Sequence, residues 1–327
     1  MTTTDSALGP GTQKPPRRHP LELVQTYGVV GVLLLVGLIT TVLSPSFAHP
    51  GNLTAILAAA CFIGLITIGQ SLVLISGGID LSVGSMVGLG TVVAALAAPY
   101  GWLAALCAPV LVGALMGLIN GLLIGKAKMA PFIVTLAALL AVKGIAVALA
   151  GSSIIITGGT FTAIGNGSVA GVSNLIWILL IAFAVAALVL NRTEFGSKVF
   201  ALGGNEDAAR MLGVDVPKIK IAVYTISGSL AGLAGALLAS RLSSGVSTLG
   251  TTYELMSIAA AVIGGVLLTG GVGTMFGAFC GVLLISVIDN VINQIGSLNA
   301  YYQDLITGLF LVLAVVVQGV LTNRRKA

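Results

Sequence analysis

The chain has 327 residues, of which 57% are hydrophobic and only 8% charged, with a formal net charge of +5. Soluble domains carry roughly 25% charged residues, so this composition excludes a water-facing exterior, and the 44 glycines read as close helix packing in lipid rather than as disorder. The basic residues are scattered along the chain, not clustered as a nucleic-acid surface requires, so no nucleic-acid partner is expected.

In chain order, residues 1–20 are polar, contain Pro10, Pro15, Pro16 and Pro20, and read as a disordered cytoplasmic tail. The apolar run behind them is long for a signal peptide, lacks a small-residue cleavage site and heads a series of further runs. Ten runs fit helices crossing a ~30 Å hydrocarbon layer. They lie at about 25–43, 53–75, 83–98, 102–124, 131–150, 174–190, 219–239, 255–269, 273–291 and 303–320. Residues 21–322 are therefore expected to form one all-α, polytopic membrane domain of about ten transmembrane helices, some short or glycine-broken. A basic tail, 323–327, follows.

The basic residues orient this domain. Lys14, Arg17 and Arg18, then Lys126 and Lys128, then Arg192, Lys198, Arg210, Lys218 and Lys220, and finally Arg324, Arg325 and Lys326 all fall on one side. Only Lys143 and Arg241 lie elsewhere. By the positive-inside rule that side is the cytoplasm, with both termini in it, in a bacterial inner membrane. Cys61, Cys107 and Cys280 lie in apolar runs without metal-ligand spacing and read as core side chains. His19 and His49 are isolated, so no metal site is expected.

Four segments depart from plain lipid-spanning helix. In Ser76-Gly-Gly-Ile-Asp-Leu-Ser-Val-Gly-Ser85, Gly77 and Gly78 predict a helix break and Asp80 a restart. Asp80, with Ser82, either caps and pins that restart or lines a solute path, since an ionisable group at this depth is costly. Gly113, Gly117, Gly121 and Gly125 predict a smooth helix face for tight packing, with Asn120 beside it to bond across. The run Gly121-Leu-Leu-Ile-Gly125-Lys126-Ala127 fails as a phosphate-binding loop, which needs four residues between its glycines and Ser or Thr after Lys.

The third segment is the loop 191–218. Asn205 predicts an N-cap, Glu206 and Asp207 fill the first turn, Arg210 lies towards the end and Gly213 suits the position after it. Such a two-turn helix needs something to pack on, either its own protein or a partner's groove that Ala208, Ala209, Met211 and Leu212 would fit. In the fourth, Gly264-Gly265 and Gly270-Gly271 predict another broken junction. Asp289 and Asn290, near Asn293, Gln294, Gln303 and Asp304, bring polar groups to the last spans as inter-helix glue or path lining.

The segment from Ser76 to Ser85 closely resembles the hallmark of permeases from ribose-type monosaccharide ATP-binding-cassette importers. So do Asn120-Gly121 with Lys128-Met-Ala-Pro-Phe-Ile-Val-Thr-Leu136, Tyr253-Glu-Leu, Ile258-Ala-Ala-Ala-Val-Ile-Gly-Gly265 and Leu268-Thr-Gly-Gly271. Phe195-Gly-Ser-Lys-Val-Phe-Ala-Leu-Gly-Gly-Asn-Glu-Asp-Ala-Ala-Arg210 is similar to that family's coupling loop. The resemblance implies two permease copies, a cytoplasmic ATPase carrying ATP and Mg, and an external sugar-binding protein. The chain itself would bind no cofactor and hydrolyse no ATP. It further implies that Glu206, Ala209 and Gly213 belong to the element that docks the ATPase. Met256 and Val272 depart from it, standing where relatives frequently carry an acidic and a basic residue. The alternatives are the same architecture carrying a nucleoside or amino acid, an ion-coupled transporter, or a membrane enzyme, for which no catalytic constellation is visible.

Overall fold

The computed structural model describes residues 20–295 and the helical positions 305, 308, 309, 312 and 316; the expected tails and most of the last span lie outside the described residues. In chain order the helices are α1 (Pro20–Leu43), α2 (Pro50–Ile75), α3 (Val83–Ala97), α4 (Trp102–Gly125), α5 (Pro131–Leu149) and α6 (Thr160–Asn166). They continue as α7 (Asn174–Arg192), α8 (Glu194–Gly204), α9 (Glu206–Met211), α10 (Val216–Leu242), α11 (Tyr253–Ile263) and α12 (Met275–Ile295). Two short 3-10 turns (Pro45–Ala48 and Ala98–Tyr100) and four two-residue strands, β1 (Ile154–Ile155), β2 (Ser168–Val169), β3 (Val172–Ser173) and β4 (Ser244–Gly245), complete the described elements. Strand β1 pairs antiparallel with β4, and β2 with β3 across Ala170 and Gly171, both at positive φ as a tight hairpin turn requires.

Among the described residues, seven helices, α2 to α5, α7, α10 and α12, are long and apolar enough to cross a membrane. Helix α2 is central, with 89% of its apolar window buried, whereas α4 and α5 bury 22% each. The outer helices expose leucines such as Leu111 and Leu140, as a lipid-facing surface should. Helix α10 lies against α2, α3 and α4, and the expected glycine stripe builds its contact with α4. A methyl group on Gly113 would collide with Gly228 O, on Gly117 with Tyr224 O, on Gly121 with Ile221 Cα, and on Gly125 with Pro217 O. Gly69 of α2 meets Ser227, and Gly90 of α3 meets Gly235. With no hydrophobic drive between helices in lipid, this backbone-to-backbone approach maximises dispersion contact.

One expected span takes a different form. The run 255–269 is not one helix: α11 has 11 residues, about 16 Å at 1.5 Å per residue, and glycine turns follow it. Gly265, Gly270 and Gly271 all have positive φ. Periodicity could not separate a short span from a half-span, because both are apolar throughout.

Candidate functional site

The break after α2 is where sequence placed it, and its geometry is closed. Gly77 has φ +83°, and Gly78 passes so close to Tyr224 Oη that no Cβ fits there. Asp80 is completely buried. Its Oδ1 accepts from Ser82 N at 3.0 Å and Ser82 Oγ at 2.5 Å, and its Oδ2 accepts from Ser227 Oγ at 3.0 Å. Asn120 Nδ2 donates to Ser82 Oγ at 3.0 Å. Tyr224 Oη and Thr135 Oγ1 donate to Ile79 O at 3.3 and 3.4 Å. Helices α4, α5 and α10 are thus fastened to one non-helical turn. Ser82, not Asp80, is the α3 N-cap, and Asp80 closes a turn onto the Ser82 amide. Asp80, Ser82 and Asn120 have 0%, 0% and 2% exposure, so in this conformation they present no surface to a solute.

The second glycine-broken junction meets the first at the end of the bundle that carries α8 and α9. Gly271 N donates to Ile75 O at 2.9 Å. Gly203, in the last turn of α8, packs against this bond: a methyl group there would collide with Ile75 O and lie 2.5 Å from Gly271 N. Gly77 and Gly270 also touch Gly203. The sequence singled out Gly77, Gly78, Gly270 and Gly271 separately. It gave no sign that they share one contact.

Helix α9 forms as expected. Asn205 Oδ1 accepts from Ala208 N at 2.9 Å, and Gly213 takes φ +83° behind the last turn. Glu206 is held within the protein, accepting from Arg210 at 3.0 Å and from Lys220 of α10 at 2.8 Å. Ala209 is 1% exposed and packs α9 onto its own protein, the inward of the two packings open to this helix. Asp207 is exposed, and Met211 and Leu212 project outward at 83% and 82% exposure. The flanking carboxylates are solvent-facing. The Lys198 ammonium bonded to Glu194 holds that carboxyl below its ordinary range, and Lys218 does the same for Asp215.

A further polar region was not marked by the sequence. After α10, residues 243–252 do not stay outside the bundle but run back along α3. Gly245 lies against Ala95 and Thr91, Ser247 O and Leu249 O against Gly88, and Gly250 and the Glu254 carboxylate against Gly84. Thr91 Oγ1 donates to Val246 O at 2.9 Å and accepts from Val246 N at 3.0 Å. The descent covers about 16 Å of α3, so α11 starts deep in the bundle, one turn beyond Asp80. The Glu254 carboxylate lies in the first turn of α11 over Gly84, with Lys143 of α5 within its electrostatic reach. The Ser/Thr/Gly-rich run 243–252 falls between the expected spans 219–239 and 255–269; its signal for depth was the absence of any charge or proline over ten residues.

Asp289 is half-buried and within electrostatic reach of Tyr253. Asn290 exchanges bonds of 2.9 and 3.1 Å with Asn52, tying α12 to the start of α2 as glue. Met256 lies in the first turn of α11, and Val272 lies beyond that helix in the glycine turns before α12, where its carbonyl accepts from Leu267 N. In mid-α2, Gln70 is fully buried and neither end of its amide has a hydrogen-bond partner among the described residues. A cavity of about 420 Å³ opens at the far end from α9, between Pro99, Trp102, Ile156, Thr157, Thr160 and Phe161.

Residues 52–315 match the family model described as the permease component of a branched-chain amino acid transport system. The chain is 37% identical over 302 residues to the ribose import permease protein RbsC of Escherichia coli K12, covering 90% of this chain and 94% of that one. It is 36% identical over 326 residues to the L-arabinose ABC transporter permease protein AraH of Azospirillum brasilense, covering 99% and 95%. It is 33% identical over 332 residues to the galactose/methyl galactoside import permease protein MglC of Haemophilus influenzae, covering 95% and 98%. No solved structure matches. A multi-pass bundle with two fused helix breaks and these similarities over nearly its whole length has one place among known proteins: the chain belongs to the family of binding-protein-dependent importer permeases.

Proposed function

We propose that this chain is the membrane-spanning subunit of an ATP-binding-cassette importer that carries a monosaccharide across the bacterial inner membrane. Two copies form the path, a separate cytoplasmic ATPase supplies the energy, and an external sugar-binding protein delivers the solute. The side bearing α8 and α9 is then cytoplasmic, with ten crossings and both termini on it, as the basic residues favour. The chain hydrolyses no ATP itself; the nucleotide and its Mg belong to the partner.

One observation carries the mechanism: the end of α9 exposes Met211 and Leu212 while the neighbouring helix packs Gly203 against the contact that joins both glycine-broken junctions. A push on α9 travels through Asn205 into α8, and from Gly203 to Ile75 and Gly271. It thereby reaches the Asp80 turn and the α11 to α12 junction together, a route for rocking the bundle between two states. Glu206 and Gly213 act in this scheme by holding α9 to α10 and closing its end. Asp80, Ser82 and Asn120 act as an internal pin rather than as lining.

The double substitution Met211→Ser with Leu212→Ser removes the outward apolar pair without touching the packed face of α9. Uptake should fall at least tenfold while membrane insertion is unchanged, and co-purification of the ATPase should be lost. Wild-type uptake would overturn the docking role. Labelled D-ribose, L-arabinose, D-galactose and L-leucine, offered to a deletion strain carrying this importer, separate the sugar reading from the amino-acid one.

A further inference from the structure

Non-helical backbone at membrane depth is tolerated only where protein covers it or water reaches it. Residues 243–252 are such a backbone, lying along α3 within one of the membrane-crossing helices. Their inner edge is covered: Gly245 and Gly250 are buried against α3. Their outer edge is not. Thr248 and Thr251 are exposed, and Ser247, Thr252 and Glu254 are half-exposed beside them. This is a strip of hydroxyls ending in a carboxylate, whereas α4, α5 and α7 expose leucine, isoleucine and valine at comparable depth. Thr251 Oγ1 donates to Thr248 O at 2.8 Å, but lipid would leave the Ser247, Thr248 and Thr252 hydroxyls without partners at several kcal/mol each, so the strip faces water.

Backbone strain marks the same place. Thr252, the residue before α11, has φ +73°, and Ser243 at the other end of the descent has φ +51°. A β-branched residue in the left-handed region is a genuine outlier that persists only where its surroundings impose it. Here it turns the descending chain into α11 and sets Glu254 over Gly84, where any side chain would collide with the carboxylate.

Resting on the permease reading above, we propose that the strip from Ser247 to Glu254 is the solute-contacting wall of the path and that Glu254 is its binding group for a neutral, hydroxyl-rich solute. Glu254 is the acidic residue in the first turn of α11, where its negative charge offsets the positive end of the helix. That end therefore offers little to an anionic or carboxylate-bearing solute. The carboxylate lone pairs accept from solute hydroxyls, and the threonine hydroxyls both donate and accept. Lys143, in reach across the strip, offsets the charge. A monosaccharide satisfies such a wall, and an amino acid, whose carboxylate needs donors there, does not. The facing copy of the chain closes the path opposite.

The test uses the complete importer in proteoliposomes, in a background of Cys61→Ala, Cys107→Ala and Cys280→Ala. Thr248→Cys and Thr251→Cys are compared with the lipid-facing control Leu140→Cys for reaction with a charged, membrane-impermeant methanethiosulfonate applied on both sides. Only a thiol in water ionises and reacts, so both strip positions should be modified at least tenfold faster than the control. Rates equal to the control, or oxidative cross-linking between copies without modification, would place the strip in lipid or in a dry interface and overturn the proposal. Glu254→Gln keeps the shape over Gly84 and removes the charge. Uptake of labelled D-ribose, L-arabinose or D-galactose, whichever the unmodified importer carries, should fall at least tenfold, with partial recovery in Glu254→Asp; full uptake by Glu254→Gln removes the binding role. Should the unmodified importer carry none of the three sugars, the sugar reading fails while the accessibility result still decides where the strip faces.

Discussion

Two carboxylates flank the first turn of α3 near the middle of the bundle, and they live in opposite surroundings. Asp80 is sealed, with three donors from Ser82 and Ser227 and no exposed surface. Glu254, a turn further along, is half-exposed at the end of a hydroxyl strip. An ionisable residue in a membrane segment is commonly taken as a mark of function. The pair shows that depth alone does not sort the cases. What separates a pin from a binding group is whether the protein has already used every lone pair.

The sharpest way to break this contrast is Asp80→Ala. It strands the Ser82 and Ser227 hydroxyls in a dry site, at about 1–3 kcal/mol for each buried group left unpaired. A marked fall in the detergent melting temperature and in the yield of folded protein is expected, and a melting temperature within a degree of wild type would show that Asp80 pins nothing. Asp80→Asn keeps an acceptor for the Ser82 amide and should lose less than half as much. Glu254→Gln should do the reverse of Asp80→Ala, leaving thermal stability nearly unchanged while uptake falls.

A third variant asks whether the sealed side is complete. Gln70 is buried with both ends of its amide unpaired among the described residues, so Gln70→Met should raise stability by roughly 1–3 kcal/mol, the desolvation penalty it removes. If stability rises and uptake falls together, the amide finds its partners in another state of the cycle; a loss of stability would show that it is already satisfied here. The smallest effect on the sealed side belongs to Tyr224→Phe, which deletes one 3.3 Å bond to Ile79 O worth about 0.5–1.5 kcal/mol. Glu194→Gln, outside both regions and solvent-facing, should change neither stability nor uptake measurably.

Much of this was legible in the chain. The Gly113 to Gly125 stripe announced a tight helix contact because lipid leaves only close approach as a packing force. The α9 caps were legible because Asn205 and Gly213 act on their own immediate neighbours. The fastening of Asp80 to Ser227, of Glu206 to Lys220 and of Gly203 to both junctions was not, since each joins residues brought together only by tertiary packing. Which way Ala209 faces was not legible, because a helix of 6 residues is too short for periodicity to tell its inward face from its outward one. The descent of residues 243–252 stayed hidden because a serine- and threonine-rich stretch reads the same in an external loop and along a wet wall.

The contact at Gly203 has a mechanical consequence. Where side chains mediate contact, a displacement of an ångström or so can dissipate as they hop between staggered rotamers. At Ile75, Gly203 and Gly271 main chain meets main chain, and there is no rotamer to yield. Such a joint resists relative displacement of its three segments more stiffly than a contact made through side chains.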